Sequence, residues 1–302
     1  MTLLDEREKV EQEEAVNPRL EKRARRAESW RGFFHAAPAY VYLTFFFTIP
    51  LFIVYVFSFA SRSNTGKPLL QDWNLDSWSK LTEPLFREIA LRSLWLAILN
   101  TALCLLIGYP FAYWIATRAS QRTRTLLLVA VLIPFWSNFL IRTYAWRMLL
   151  DSDGMITRLG EWTGLWGQLL FTPTAVFIGL LYGYLPFVVL PLYAAIERLD
   201  WTLVEAGRDL YASGSAAFRK ITLPLSKPGI VAGSILVFIP SLGAYVTPDI
   251  LGGAKTTLLG NYIVTQFTAA RNWPFGSAMS GAILIIMLVA TILYFRTDTR
   301  TI

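Results

Sequence analysis

Glu205, Arg208 and Asp209 bring two carboxylates and a guanidinium together in the stretch EAGRDLYASGSAAFRKITLP, residues 205–224. Glu205 and Asp209 are four residues apart, so on a helix they lie one turn apart on the same face. Leu203, Ala206 and Leu210 fall on another face, which makes Leu203–Leu210 read as a short amphipathic helix. Ser213 and Gly214 then favour a turn or a cap, and Ser215–Lys220 can resume a helix. Pro224 and Pro228 delimit the entry to the next element. Such a pair of short helices offers charge-assisted hydrogen bonds from Glu205, Arg208 and Asp209, with apolar packing from Ala206, Leu210 and Tyr211. That is the chemistry of docking, and a bare solvated loop would need neither the helical pattern nor Leu210, Tyr211 and Phe218.

Catalytic chemistry has few candidates. Gly252–Thr257 (GGAKTT) resembles the end of a phosphate-binding loop, but it lacks the Gly directly before Lys255 and the Gly five residues before that one. The sole cysteine, Cys104, lies in an apolar run and reads as a packing residue. The sole histidine, His35, sits at the edge of the first apolar run with no companion to share a metal. No paired carboxylates, His-based triad or metal-ligand cluster stands out, so no catalytic residue, cofactor or metal is expected on this chain.

The elements that must hold the charged stretch are apolar. Of 302 residues, 54% are hydrophobic, 15% aromatic and only 16% charged. A typical soluble domain is about 25% charged. The apolar residues fall in six blocks, near 39–60, 89–117, 126–149, 173–195, 228–249 and 277–295. Each is about the 20 residues that a helix needs to cross a hydrocarbon core of roughly 30 Å. An all-α integral membrane protein follows, with six transmembrane helices. Pro50, Pro110, Pro134, Pro186, Pro191 and Pro240 lie inside these blocks, where neighbouring helices can satisfy the freed carbonyls.

Lysine and arginine set the orientation. With the N-terminus in the cytoplasm, the tail, residues 118–125, residues 196–227 and the C-terminus hold eighteen of them, against seven in the opposite loops. By the positive-inside rule both termini are cytoplasmic, and so is the loop 196–227. The net charge of +7 thus reflects topology rather than nucleic-acid binding. Residues 1–35 form a charged cytoplasmic tail, acidic first and then basic, whose basic half suits anionic lipid headgroups; residues 36–302 form the membrane domain. Trp73, Trp78, Trp162, Trp166 and Trp273 collect on the outer side, as an interfacial belt or as a surface for a partner or gate.

The stretch from Glu205 resembles the cytoplasmic loop of permease subunits of bacterial ABC importers. Their pattern runs Glu-Ala-Ala, three residues, Gly, nine residues, Ile, one residue, Leu-Pro. Glu205, Ala206, Ile221, Leu223 and Pro224 match it, while Gly207 replaces the second Ala and Tyr211 replaces the Gly. Residues 105–115, 133–146, 190–200, 249–261 and 272–278 are similar to one branch, the spermidine/putrescine type, and to the first of its two permeases. The resemblance implies a type I (MetI-like) permease with a coupling-helix loop, in the bacterial inner membrane. It also implies a second six-helix permease, a dimer of ATPase subunits carrying ATP and Mg, and an extracytoplasmic solute-binding protein.

On that basis Glu205, Ala206, Gly207, Arg208, Asp209, Leu210 and Tyr211 are the expected ATPase-docking residues. Because the glycine of the pattern permits the turn between the two short helices, Gly214 is expected to take over part of that role. Tyr211 would fill space in the ATPase groove, brace the two helices, or pack against its own loop. A polycationic solute needs carboxylates or aromatic faces along its path. Asp249, at the outer end of the fifth block with Tyr245 one turn before it, is the first candidate, against a plain helix-end role. Tyr144 and Trp146 are further candidates beside Arg142 and Arg147, which would repel a polycation and are expected to anchor the outer interface or pair with Asp151 and Asp153. A permease for another small solute, a secondary transporter and a membrane enzyme are the competing classes. The last two lack their marks: repeated halves with coupling-ion ligands, and an intramembrane His or acidic cluster.

Overall fold

The computed structural model describes residues 36–63, 65–253 and 256–298. The expected tail 1–35, with His35, and Lys255 of the GGAKTT stretch lie outside the described residues. The chain divides into two units, residues 1–57 and 58–302. In the first, α1 (Ala36–Phe57) is one apolar helix with a wide turn over Thr44–Thr48 and no buried residue in that turn or beyond it. A helix apolar on every side needs lipid or another protein around it.

The second unit opens with a hairpin that was not legible as such in the sequence. Strand β1 (Ala60–Arg62) pairs antiparallel with β2 (Pro68–Trp73), and Trp78 pins its start by donating from Nε1 to Ser58 Oγ at 3.1 Å. The short helix α2 (Asp76–Ser79) leads to α3 (Pro84–Thr117), whose Pro84 occupies the first turn where no N–H is missed. The next elements are α4 (Gln121–Trp136), α5 (Phe139–Leu150), α6 (Met155–Thr163) and α7 (Pro173–Glu197). They are followed by α8 (Trp201–Asp209), α9 (Gly214–Leu225), α10 (Lys227–Leu242), α11 (Leu259–Phe267) and α12 (Trp273–Asp298).

The centre of this unit is α3 packed with α7 and α10. Small residues allow the close crossings, as is usual where lipid gives helices no hydrophobic reason to associate. A Cβ on Gly108 would come within 2.9 Å of Val188 Cγ1, and one on Gly229 within 2.5 Å of Ala195 Cβ. Cys104, Ala112, Ile115, Val188, Leu192, Ile196 and Val237 fill the seam, so Cys104 does pack as the sequence suggested. Asn100 spans it by donating to Ser241 Oγ at 2.9 Å, and Ser93 Oγ accepts the Leu259 N–H at 2.8 Å.

Two expected spans differ. The block 126–149 is broken: α4 ends at Trp136, α5 starts at Phe139, and the axes of 121–136 and 139–163 differ by 94°. Asn138 supplies the reason, since its Oδ1 accepts the Leu140 N–H at 2.8 Å. That bond caps a new helix, while Ser137 Oγ closes the old one on the Pro134 carbonyl. The block 228–249 stops at Leu242, and Asp249 lies beyond a break, on a separate turn Pro248–Gly252. Among the described residues only three helices are long and apolar enough to span a membrane. Each bent pair counted as one span raises this to five, and Trp273–Val289 is a shorter apolar helix.

Candidate functional site: a braced loop

Leaving α7, the chain turns at Arg198–Asp200 into α8. Asp200 caps that helix, its Oδ1 accepting the Thr202 N–H at 3.0 Å and the Thr202 hydroxyl at 2.7 Å. A short polar side chain in this place satisfies an amide that the first turn leaves open. The hydroxyl bond first, and then the amide bond, hold the Asp200 carboxyl below its usual range, because both stabilise the charged form. Along α8, Val204 is buried, while Glu205, Ala206, Arg208 and Asp209 are exposed. Gly207 differs from the other expected docking residues because it faces inward. A Cβ there would sit 2.4 Å from Ile221 Cδ1, the free end of a flexible side chain, so the Ala of the pattern would fit after a shift of that Ile.

The end of α8 shows how the loop turns without the glycine of the pattern. Tyr211 N–H donates to the Arg208 carbonyl at 2.9 Å, and Ala212 N–H to the Gly207 carbonyl at 3.1 Å. Those are the two bonds of a Schellman stop, whose hinge residue is left-handed and usually Gly. Here the hinge is Tyr211, at φ 62°. Contrary to expectation, Gly214 does not take over the turn; it is an ordinary first residue of α9, capped by Ser213. Left-handed backbone costs a side-chain-bearing residue about 1–2 kcal/mol. The ring gains nothing from the loop in return, because Tyr211 is 99% exposed and Leu210 beside it 82%. Of the roles expected for Tyr211, bracing the two helices and packing on its own loop are thus excluded.

Bracing is done at the root instead. Phe218 meets Tyr109 and Tyr113 of α3 edge-on, each at 5.7 Å, and Trp201 meets Tyr113 at 6.4 Å. The Tyr109 hydroxyl shares a 2.8 Å hydrogen bond with Ser226 Oγ. Arg124 of α4 joins two more helix ends, donating to Glu197 Oε1 at 3.1 Å and to the Ala116 carbonyl at 3.0 Å, while the Tyr193 hydroxyl also donates to Glu197. Sequence reading passed over these residues, apart from Phe218. The signal that marks them is Tyr109 and Tyr113, two aromatics one helical turn apart near the end of α3.

On the opposite side the expected path residues do not converge. Tyr245 and Asp249 are adjacent and exposed, joined by the Asp249 N–H to Tyr245 carbonyl bond at 3.1 Å. Trp146 packs on Tyr182 at 5.4 Å, in the wall of a cavity of about 10 Å³ that neither Tyr245 nor Asp249 lines. Tyr144 is half exposed. Nor do the arginines pair with Asp151 and Asp153 as expected. Asp153 meets Arg158 at 3.7 Å, whereas Arg142 lies over the rings of Phe135 and Phe139 and Arg147 over that of Phe171. Among the described residues no three of His, Cys, Asp and Glu are grouped to hold a metal ion.

Comparison with known proteins fits a loop of this kind. Residues 27–301 match the family model described as binding-protein-dependent transport system inner membrane component. The chain belongs to that family. The permease is 41% identical over 258 residues to the spermidine/putrescine transport system permease protein PotB of Salmonella typhimurium (strain SL1344), covering 84% of this chain and 89% of that one. It is 40% identical to PotB of Escherichia coli (strain K12), over 84% of this chain and 93% of that one. Against the inner membrane ABC transporter permease protein YdcU of the same strain, identity is 33%, over 71% and 72%. In fold, the permease resembles a chain of a crystallised bacterial ABC transporter that imports the acidic polysaccharide alginate. The TM-score is 0.66 at 18% identity, covering 94% of the permease and 99% of that chain. A MetI-like ABC permease fold, helical apart from the β1–β2 hairpin, is thereby established, and with it a multi-pass inner-membrane protein.

Proposed function

We propose that this permease forms part of the membrane path of an ATP-driven importer for spermidine or putrescine. It would work with a second six-helix permease, a dimer of ATPase subunits and an extracytoplasmic solute-binding protein. The PotB relatives support the solute class, and the loop supports the coupling. The observation that carries the coupling is the contrast inside one loop, between a root fixed to α3 and α7 and a tip whose Leu210 and Tyr211 touch almost nothing.

In this reading Glu205, Ala206, Arg208, Asp209, Leu210 and Tyr211 form the docking face, and Gly207 lies beneath it against Ile221. ATP and Mg stay on the ATPase, and the loop passes its closure to the helices as a rigid body. The strain at Tyr211 has a function here: a bulky left-handed residue is kept where a ring must project. Both termini are cytoplasmic and the tail rests on lipid. Asp249 and Tyr245 present a carboxylate and a ring face to an ammonium group on the outer side. Uptake of labelled spermidine, putrescine, an amino acid and a sugar by vesicles holding the whole importer tests the solute class. Accumulation of the polyamines alone is expected, and accumulation of another solute without them would refute it.

A further inference from the structure

Helix α6 (Met155–Thr163) meets three different surroundings at once. Its buried side is Thr157 and Gly160. Thr157 Oγ1 donates to the Leu150 carbonyl at 3.0 Å, and Trp166 lies over Gly160, its Nε1 donating to the Ile156 carbonyl at 3.2 Å. The helix stops at Gly164, left-handed at φ 70°, where the Leu165 N–H returns to the Gly160 carbonyl at 3.1 Å. These bonds fix α6 to the end of α5, so its other faces cannot turn inward.

Those faces differ in kind. Arg158 and Glu161, one turn apart, make an exposed charged edge, and Arg158 meets Asp153 at 3.7 Å. Met155, Leu159 and Trp162 recur at i, i+4 and i+7 and are 72%, 52% and 84% exposed. Of the two tryptophans in this connection, Trp166 is thus folded onto the helix and Trp162 points away from it. An indole has an apolar body and an N–H to satisfy, which suits a surface that is apolar on one side and wet on the other.

Packed protein, water and hydrocarbon come together at one level of a membrane protein, the boundary between headgroups and acyl chains. The course of the chain leads there. At its 16 residues α4 rises about 24 Å, most of a hydrocarbon core of roughly 30 Å. The segment 139–163 then runs at 94° to it, across α4 rather than onward from it. A soluble partner that comes and goes would leave three large apolar side chains bare in water between encounters. Anionic headgroups have little to hold, because Asp151, Asp153 and Glu161 outnumber Arg158. Attachment falls to the apolar face.

We propose that α6 lies in the bilayer surface, with Met155, Leu159 and Trp162 among the acyl chains and Arg158 and Glu161 in water. The seat requires a multi-pass membrane protein and is independent of which solute is carried. It holds the end of α5 and the start of α7 at one depth, a helix length away from the loop that follows α7.

Nitroxide labels test it in the full chain, purified with its partner subunits and returned to phosphatidylcholine vesicles. One label at a time goes on Met155→Cys, Leu159→Cys, Trp162→Cys, Arg158→Cys or Glu161→Cys. All five positions are exposed, so no label enters the core, and the native Cys104 is buried. Collision with oxygen, which concentrates in lipid, is compared with collision with a nickel chelate, which stays in water. The ratio should be several-fold higher at the first three positions than at the last two, and unchanged on adding the solute-binding protein. Equal ratios at all five would put the apolar face in water and overturn the proposal. Exclusion of both reagents from the first three, with or without the binding protein, would put a protein there and overturn it too.

Discussion

The loop between α7 and α10 and the turn Tyr245–Asp249 were both expected to meet other molecules, and they are built in different ways. In the loop, six of seven expected residues are exposed within one short helix and its stop, and the seventh, Gly207, faces Ile221 of α9. Its root is held by edge-on aromatic contacts and by Arg124 across helix ends. The turn Tyr245–Asp249 holds two of four expected residues, with Trp146 and Tyr144 elsewhere. A docking face can be made by one short helix and its stop. A path through a membrane has to be assembled from several helices.

Breaking the docking face should have the largest effect. Glu205→Lys with Asp209→Lys reverses both carboxylates of the rim, each worth about 1.5–3 kcal/mol when it bonds a charged partner. Uptake by reconstituted vesicles should fall more than tenfold while the ATPase still hydrolyses ATP; normal uptake by a stably expressed double variant would sink the docking assignment. At the other turn, Asp249→Asn should slow polyamine uptake several-fold with undiminished co-purification of the ATPase. Unchanged uptake kinetics would return Asp249 to a plain surface role.

Smaller effects sharpen the contrast between root and tip. Phe218→Ala removes the edge-on contacts with Tyr109 and Tyr113 and should destabilise the loop by about 1–3 kcal/mol. Hydrogen exchange of the α8 amides should then quicken and the ATPase be retained less well; exchange equal to that of the unaltered chain would show that the rings do not brace the loop. Tyr211→Gly should act in opposite directions on the two properties. It relieves about 1 kcal/mol of left-handed strain and raises the thermal midpoint by roughly 2–4 °C, yet it weakens ATPase retention. Tyr211→Asn, which tolerates the same backbone, should also weaken retention, because the ring is what it lacks. A Tyr211→Gly chain that binds the ATPase as well as before would leave the strain without a function.

The smallest effect concerns pH. Asp200 is held below its usual range in the folded chain, so its contribution is present above the ordinary carboxylate range and is lost as pH falls through its lowered value. Protection of the Thr202 amide should fall over that acid window, whereas Asp200→Asn should show no such step. A step that persists in Asp200→Asn would assign it to another group.

Much of the loop was legible because helix period and cap chemistry are local. The helical spacing of Leu203, Ala206 and Leu210 marked α8 but not its buried face, since all three are exposed and Val204 is the residue it buries; Ser213 marked the start of α9. The stop at Tyr211 was not legible, since it depends on a backbone conformation that glycine adopts freely and tyrosine adopts only at a cost. The break at Ser137–Asn138 was hidden for a related reason: a single capping side chain splits a run that composition alone joins. The root escaped because Tyr109, Tyr113, Trp201 and Phe218 come from segments far apart in the chain and meet only after packing.

The central claim is that the loop tip sits against the ATPase, and the most direct measurement is photo-crosslinking from position 211 in the purified whole importer. With a photoreactive residue replacing Tyr211, the expected product joins this chain to the ATPase subunit, in high yield and with a change in yield on adding ATP. A crosslink to the second permease or to lipid, with none to the ATPase, would contradict it.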